Sequence, residues 1–348
     1  MDDQHVVFID VLGIRRALST GHSSVAETRL RRLSEIVCRV LRGCEGVHAH
    51  GATDFFILWS REAEFGWDTA LAASRIFKEY FDLNEEEDVN DVLLAYLLRG
   101  GLAYGQVGEL RKAGKRVSYS ILLGDGLGTA YEAQALRKGM RLIVAPGATK
   151  AFQPRLVEGD LADERFKIFR HYRSSGAVDY AEISWVGSGG ETDRRVGCAA
   201  KLFRSAVTSF KKNMIPEGVL LHYQQTLCAV LEGCSTAEVL LRYLTYLHSN
   251  KKASDFLGPI WSTAWLRLFG PKHARFLEDH RDVLHERFLL MSGSPHITEV
   301  SRVLNRHNRW RSLIRFLRSG RLRFQGTRSG SIQEWARRRR HSGKTIEY

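Results

Sequence analysis

Phe8-Ile9-Asp10-Val11-Leu12-Gly13-Ile14 sets one carboxylate near the end of an apolar run that otherwise suits a core strand. A lone charge in such surroundings is expensive to bury unless something pairs with it. Further along, His50-Gly51-Ala52-Thr53-Asp54 repeats the pattern, with Asp54 running straight into Phe55-Phe56-Ile57-Leu58. Arg99-Gly100-Gly101-Leu102-Ala103-Tyr104-Gly105 and Gly124-Asp125-Gly126-Leu127-Gly128-Thr129-Ala130-Tyr131-Glu132 complete an ordered set of four short pieces. Two carboxylates on neighbouring strands repel each other, and a divalent cation between them is the simplest compensation. Asp10 and Asp54 are therefore candidate metal ligands on chemistry alone.

The elements around these pieces follow from periodicity. Residues 4–10 read as a strand ending in the turn Leu12-Gly13, and residues 23–42 as a helix through Val25, Leu30, Leu33, Val37, Val40 and Leu41, capped by Ser23 or Ser24. Val47–His50 and Asp54–Trp59 form a hairpin with Asp54 at its turn, and a helix over 62–82 runs into the acidic loop Glu85–Asp88. Leu93–Leu98 reads as an apolar strand, followed by one punctuated by Gly105 and Gly108, a basic loop at 111–116 and a strand Val117–Leu123. A helix from Gly128 to Lys138 and a strand Met140–Ala145 close the series. The order β-α-β-β-α-β-β-α-β predicts an α+β fold, an antiparallel-sheet sandwich with helices on one face. After a strand at Tyr180–Val186, the Gly/Ser loop Gly187–Glu191 marks a boundary between a region 1–190 and a region 191–348. The second region reads as helical, with helices expected near 236–247, 255–269 and 297–318 and an arginine-rich tail.

A chain of 348 residues exceeds one typical core and suits two domains. No apolar run approaches the ~20 residues of a membrane span, and the acidic start Met1-Asp2-Asp3 does not suit a signal peptide. The five cysteines contain no CxxC pair, which points to reduced thiols and a cytoplasmic protein rather than a disulfide frame or zinc site. The net charge of +13 is concentrated in the tail, which ends in Arg337-Arg338-Arg339-Arg340. Such a tail suits a solvated anchor to an acidic surface; without helix-turn-helix, finger or RNP signatures, specific nucleic-acid recognition is not expected.

The ordered set Phe-x-Asp-x-x-Gly, Asp at a hairpin turn, Arg-x-Gly-x-x-x-Gly and Gly-x-x-x-x-x-Ala resembles the catalytic domain of class III nucleotidyl cyclases over residues 4–186. The resemblance implies that Asp10 and Asp54, with the backbone carbonyl of Val11, hold two Mg²⁺ or Mn²⁺ ions. It further implies that Phe8, Leu12, Gly13, His50 and Arg99 meet a nucleoside triphosphate, the turn Leu12-Gly13-Ile14 offering N–H groups to its phosphates. A homodimer is implied, with each active site between two catalytic domains. Departures from the family are equally informative. Its base-reading Lys corresponds to His50, its base-reading Asp to Ile121, and its helix Asn and Arg to Gly128 and Glu132. The purine-reading pair is thus missing while both metal positions remain. That pattern, with Ala130-Tyr131, resembles the pyrimidine cyclases of the Pycsar anti-phage defence system. The implied reaction makes cyclic UMP from UTP, with CTP as the alternative substrate, and the product is sensed by a separate effector. A degenerate, inert cyclase fold with a nucleic-acid-binding tail is the other alternative.

Asp125, between two glycines, suits a turn more than a third metal ligand. Arg99 suits either phosphate contact or a structural ion pair. Arg137-Lys138 and Arg141 suit a solvated helix end more than a phosphate site, and Cys38 falls on the apolar stripe of its helix.

Overall fold

The computed structural model describes residues 2–60, 66–89, 91–92, 94–113, 118–148, 168–171, 180–187, 190–233 and isolated positions between 247 and 263. The helices expected at 236–247, 255–269 and 297–318 and the arginine-rich tail lie wholly or almost wholly outside the described residues.

The first strand β1 (Asp2–Val11) is central, pairing antiparallel with β3 (Phe55–Ser60) on one side and β4 (Leu98–Ala113) on the other. β2 (Val47–Gly51) completes the hairpin with β3, and β5 (Ser118–Leu123) pairs with the far half of β4. β6 (Leu142–Val144), β7 (Ile168–His171) and β8 (Tyr180–Ile183) extend the sheet in the order β2-β3-β1-β4-β6-β8-β7. The α+β sheet-and-helix architecture is as expected, with one parallel pair, β4 with β6, in an otherwise antiparallel sheet.

Strand alternation divides this sheet into two unlike faces. Val7, Ile9 and Val11 point into a large core with α2 (Ser23–Leu41), α3 (Gly66–Glu86), α5 (Gly190–Lys211) and α6 (Glu217–Gly233). Its fully buried centre includes Phe77, Tyr80, Phe81, Trp185 and Phe203, each burial of this size stabilising the fold by roughly 1.5–3 kcal/mol. Val6 and Phe8 point the other way, into a smaller cluster under α4 (Asp125–Ala135). Helices therefore cover both faces, not one.

Further differences from the sequence reading have local causes. Residues 94–97 lead into β4 without strand pairing, because Asn84 captures this stretch: its amide donates to the Tyr96 carbonyl at 2.9 Å and accepts from the Tyr96 N–H at 2.7 Å. β4 continues through Ala113, where a loop was expected, since pairing with β5 extends that far. α4 starts at Asp125, three residues before the expected Gly128. Cys38 is exposed, and the stripe it was assigned to is filled by Leu33, Ile36, Val37 and Val40.

The helices after residue 190 share the sheet's core. α5 is tied to α3 by Arg195, which donates to both oxygens of Asp82 at 2.7 and 2.6 Å. One face of α6 grips the approach to β6: His222 accepts from Gly139 N–H at 3.0 Å and the Thr226 hydroxyl accepts from Met140 N–H at 2.8 Å. Arg141, next in line, is buried and reaches Glu182 on β8 and, at 3.2 Å, Glu232 on α6. Neither the solvated helix end nor the phosphate contact suggested for Arg141 holds; it is the centre of a buried ion triad.

Candidate active site

The register of β1 brings the sequence-selected residues onto one face. Directly paired residues project to the same side of a sheet. One row runs His50–Ile57–Phe8–Gly101 across β2, β3, β1 and β4. The next row, toward the end of β1, is Phe55–Asp10–Arg99. α4 rests on the β4 side of this face, and Gly101 is what permits the close approach. A Cβ there would lie 2.0 Å from the Ala130 carbonyl oxygen. A second glycine contact, Gly105 on Gly126, continues the line. Two of the four sequence pieces are thus the two sides of one strand–helix contact.

Phe8 is buried, stacked on Phe55 with ring centroids 4.9 Å apart and meeting the edge of Tyr131 at 5.3 Å. Tyr131 is exposed while its neighbour Ala130 is buried against β4. His50 is half-buried on the same face. Ile121 is exposed on β5, and Gly128 and Glu132 are exposed on α4.

Asp10 sits where β1 meets solvent, its side chain 15% accessible. Arg99 donates Nε and Nη2 to the same Asp10 oxygen, Oδ2, each at 2.6 Å. The Asp10 pKa is nonetheless raised: burial is the main cause, Arg99 opposes it, and the neighbouring charge of Asp54 adds to the rise. Asp54 comes alongside through the backbone, the Val11 N–H donating to its carbonyl oxygen at 3.0 Å. Its carboxylate accepts from the Thr53 hydroxyl at 2.9 Å.

After Val11 the chain turns sharply. Leu12 N–H donates to the Leu97 carbonyl at 3.0 Å, so of the three N–H groups expected to face phosphate this one is already committed. Gly13 has φ 85°, a left-handed conformation that disfavours side chains, and leads into the six-residue α1 (Ile14–Ser19). The Leu12 carbonyl accepts from Nη2 of Arg29, a buried residue of α2. Arg29 was not selected from the sequence, although its signal is there: it interrupts the buried stripe between Ala26 and Leu33. Asp125 accepts from the Gln106 N–H at 2.8 Å and is a structural bracket, as its glycine neighbours suggest.

Among the described residues no group of three or more His, Cys, Asp and Glu could hold a metal ion. The site has two carboxylates with the Val11 backbone between them. That donor set is all hard oxygen, and a buried acid made harder to ionise by a second acid is relieved by added positive charge. The residues present fit Mg²⁺ or Mn²⁺.

No protein-family model matches the chain, and no curated protein matches it. Solved structures similar to it include cyclases and cyclase domains. One described as a bacterial light-regulated adenylyl cyclase is 17% identical, with TM-score 0.41, covering 53% of this chain and 92% of its own. The guanylate cyclase domain of RhGC from Catenaria anguillulae is 15% identical, with TM-score 0.38, over 52% of this chain and 96% of its own. The adenylyl cyclase CyaB from P. aeruginosa is 13% identical, with TM-score 0.38, over 54% of this chain and 96% of its own. Likeness at this level assigns the chain neither a family nor an activity.

Proposed function

We propose that this chain is a nucleotidyl cyclase that converts a pyrimidine nucleoside triphosphate, UTP in the first instance, into its 3′,5′-cyclic monophosphate and pyrophosphate. The observation that carries the reading is the meeting of Asp10 and Asp54 at one end of the central strands, joined by the Val11–Asp54 hydrogen bond, beside the Leu12-Gly13 turn. Asp10, Asp54 and the Val11 carbonyl would hold two divalent ions. Bound there, such ions acidify the ribose 3′-hydroxyl and hold the departing pyrophosphate. Arg99 is the cation already at the site for phosphate charge, and Gly13 and Ile14 present the turn. Phe8, Phe55 and Tyr131 form an aromatic bed on the same face, and His50 offers a ring with hydrogen-bonding edges to the base. Pyrimidine preference is supported by Ile121, which cannot supply the polar contact made by the base-reading Asp of the purine cyclases that the sequence resembles, and by His50 in place of their Lys. CTP is the alternative substrate.

The chain acts as a homodimer, with residues 1–190 carrying the chemistry and residues 191–348 an accessory role. Its product serves as a second messenger in anti-phage defence, read by a separate effector. Among the described residues no helix is long and apolar enough to cross a membrane. Incubation with each of the four triphosphates and Mn²⁺, followed by chromatographic identification of products, tests the reading. Cyclic UMP or cyclic CMP is the expected product. Product from ATP or GTP alone, or none from any, overturns it.

A further inference from the structure

We propose that Arg29 is a positioning residue that places a fixed positive charge behind the Leu12-Gly13 turn, making that turn the seat of the polyphosphate tail. The proposal rests on the reading of this turn as phosphate-facing. Arg29 is 3% exposed. Among the described residues no carboxylate pairs with it, and its Nε is buried without a hydrogen-bond partner. Arg141 and Arg195, the other buried arginines among the described residues, each hold two carboxylates. A buried charge without a counter-ion is strongly disfavoured, so Arg29 stands out as a cation whose anion comes from elsewhere.

Its surroundings say where. Nη2 donates to the Leu12 carbonyl, and Nη1 lies 3.4 Å from where a Gly13 side chain would begin. Gly13 itself is exposed. One residue without a side chain is therefore all that separates the guanidinium from the outer surface of the turn. Tyr80 and Tyr223 flank Arg29 from α3 and α6, and both are held protonated by burial, so neither supplies a negative charge. Through the turn the guanidinium reaches the exposed surface at Gly13. A polyanion seated there would be attracted without touching Arg29, and low-dielectric surroundings on the protein side weaken that attraction less than water would.

The test uses full-length protein and inorganic tripolyphosphate, with no nucleotide. Arg29→Gln keeps an N–H donor for the Leu12 carbonyl while removing the charge; Arg29→Lys keeps the charge. By calorimetry at low salt, Arg29→Gln should weaken tripolyphosphate binding about tenfold and Arg29→Lys less than about threefold. In turnover assays the glutamine variant should raise KM about tenfold, with kcat within about threefold. A folded Arg29→Gln protein with unchanged tripolyphosphate affinity overturns the proposal. If that variant does not fold, the ¹⁵N resonance of Arg29 Nε in the wild-type protein decides. It should shift on titration with tripolyphosphate, and no shift at saturation overturns the proposal. Charge-dependent tripolyphosphate binding in a protein that cyclises no nucleotide would sink the cyclase reading and leave the role of Arg29 standing.

Discussion

Arg141 and Arg99 each face two carboxylates, and the two groupings behave oppositely. In the triad, Arg141 reaches both Glu182 and Glu232, and its own side chain and that of Glu182 are each 5% accessible. Burial works against the Arg141 charge, but the two glutamates more than offset it and hold its pKa above the ordinary value. At the candidate site Arg99 pairs, among the described residues, with Asp10, while Asp54 turns to the Thr53 hydroxyl. One cation is thus shared by two acids in the first grouping, whereas in the second Arg99, with Arg15 adding to it, does not outweigh the burial of Asp10. A closed triad locks α6 onto the sheet; an open one has room and need for further positive charge. Similar residue types give a fastener in one place and a site in the other, and the difference lies in access and stoichiometry.

The contrast breaks most visibly at the acids. Asp10→Asn and Asp54→Asn should each lower turnover by at least about a thousandfold. For Asp10→Asn, thermal stability without metal should be unchanged or higher, because a carboxylate whose pKa is raised by burial is replaced by a neutral amide. Activity assays paired with thermal denaturation check both halves, and a stability loss would put Asp10 in the same class as Glu182.

Next in size is the triad. Arg141→Met strands two glutamates and should destabilise the fold by about 3–5 kcal/mol in chemical denaturation. Adding Glu182→Leu and Glu232→Leu should recover much of that loss. Failure of the triple variant to recover would mean the triad specifies the packing of α6 and not only its charge balance.

His222 sharpens the comparison, since it lies on α6 with Glu232 and feels the charge of Arg99. Burial lowers its pKa from 6.5 to about 4, with Lys138 and Arg99 adding to the effect. Burial lowers His5 likewise, to about 4. Between pH 6.5 and 4 the unfolded chain binds protons that the folded one does not. Each histidine therefore contributes stability that is present above pH 6.5 and falls by up to ~1.4 kcal/mol per pH unit as the pH drops toward 4. His222→Asn keeps an acceptor for Gly139 N–H and should flatten the stability–pH curve in that window. An unchanged curve would show that the ring is already solvated.

The smallest effect is expected at Asp125. Removing its bond to Gln106 N–H in Asp125→Ala should cost about 1 kcal/mol, with turnover per folded molecule unaltered. A large activity loss in folded protein would reinstate Asp125 as a metal ligand.

How much of this was legible depends on whether a residue's role is local. The α2 helix, the β2–β3 hairpin and the end of β1 follow from periodicity, and Asp10 and Asp54 stood out because a charge beside hydrocarbon needs no partner to be conspicuous. The glycines of Arg99–Gly105 were visible as a motif, but their purpose was not, because the Ala130 carbonyl they admit lies on another element. Leu94–Leu97 has the composition of a strand, and only the side chain of Asn84 makes it a lead-in. Arg141 looked like one of three basic residues at a helix end; its two acids come from β8 and α6. Arg29 shows the intermediate case, with a misplaced residue visible on the stripe and its meaning supplied only by the turn above it.

The pairing of β1 has a consequence for synthesis. β1 leaves the ribosome before either of its partner strands, since Val6 and Val7 pair with Trp59 and Leu58, and Asp2 with Val107. At about 5–20 residues per second, an apolar strand with both hydrogen-bonding edges open persists for several seconds before β4 is complete. The α6 residues that grip Gly139 and Met140 arrive later still. A nascent chain of this protein is thus open to edge-to-edge association from the emergence of β1 until β4 has followed it.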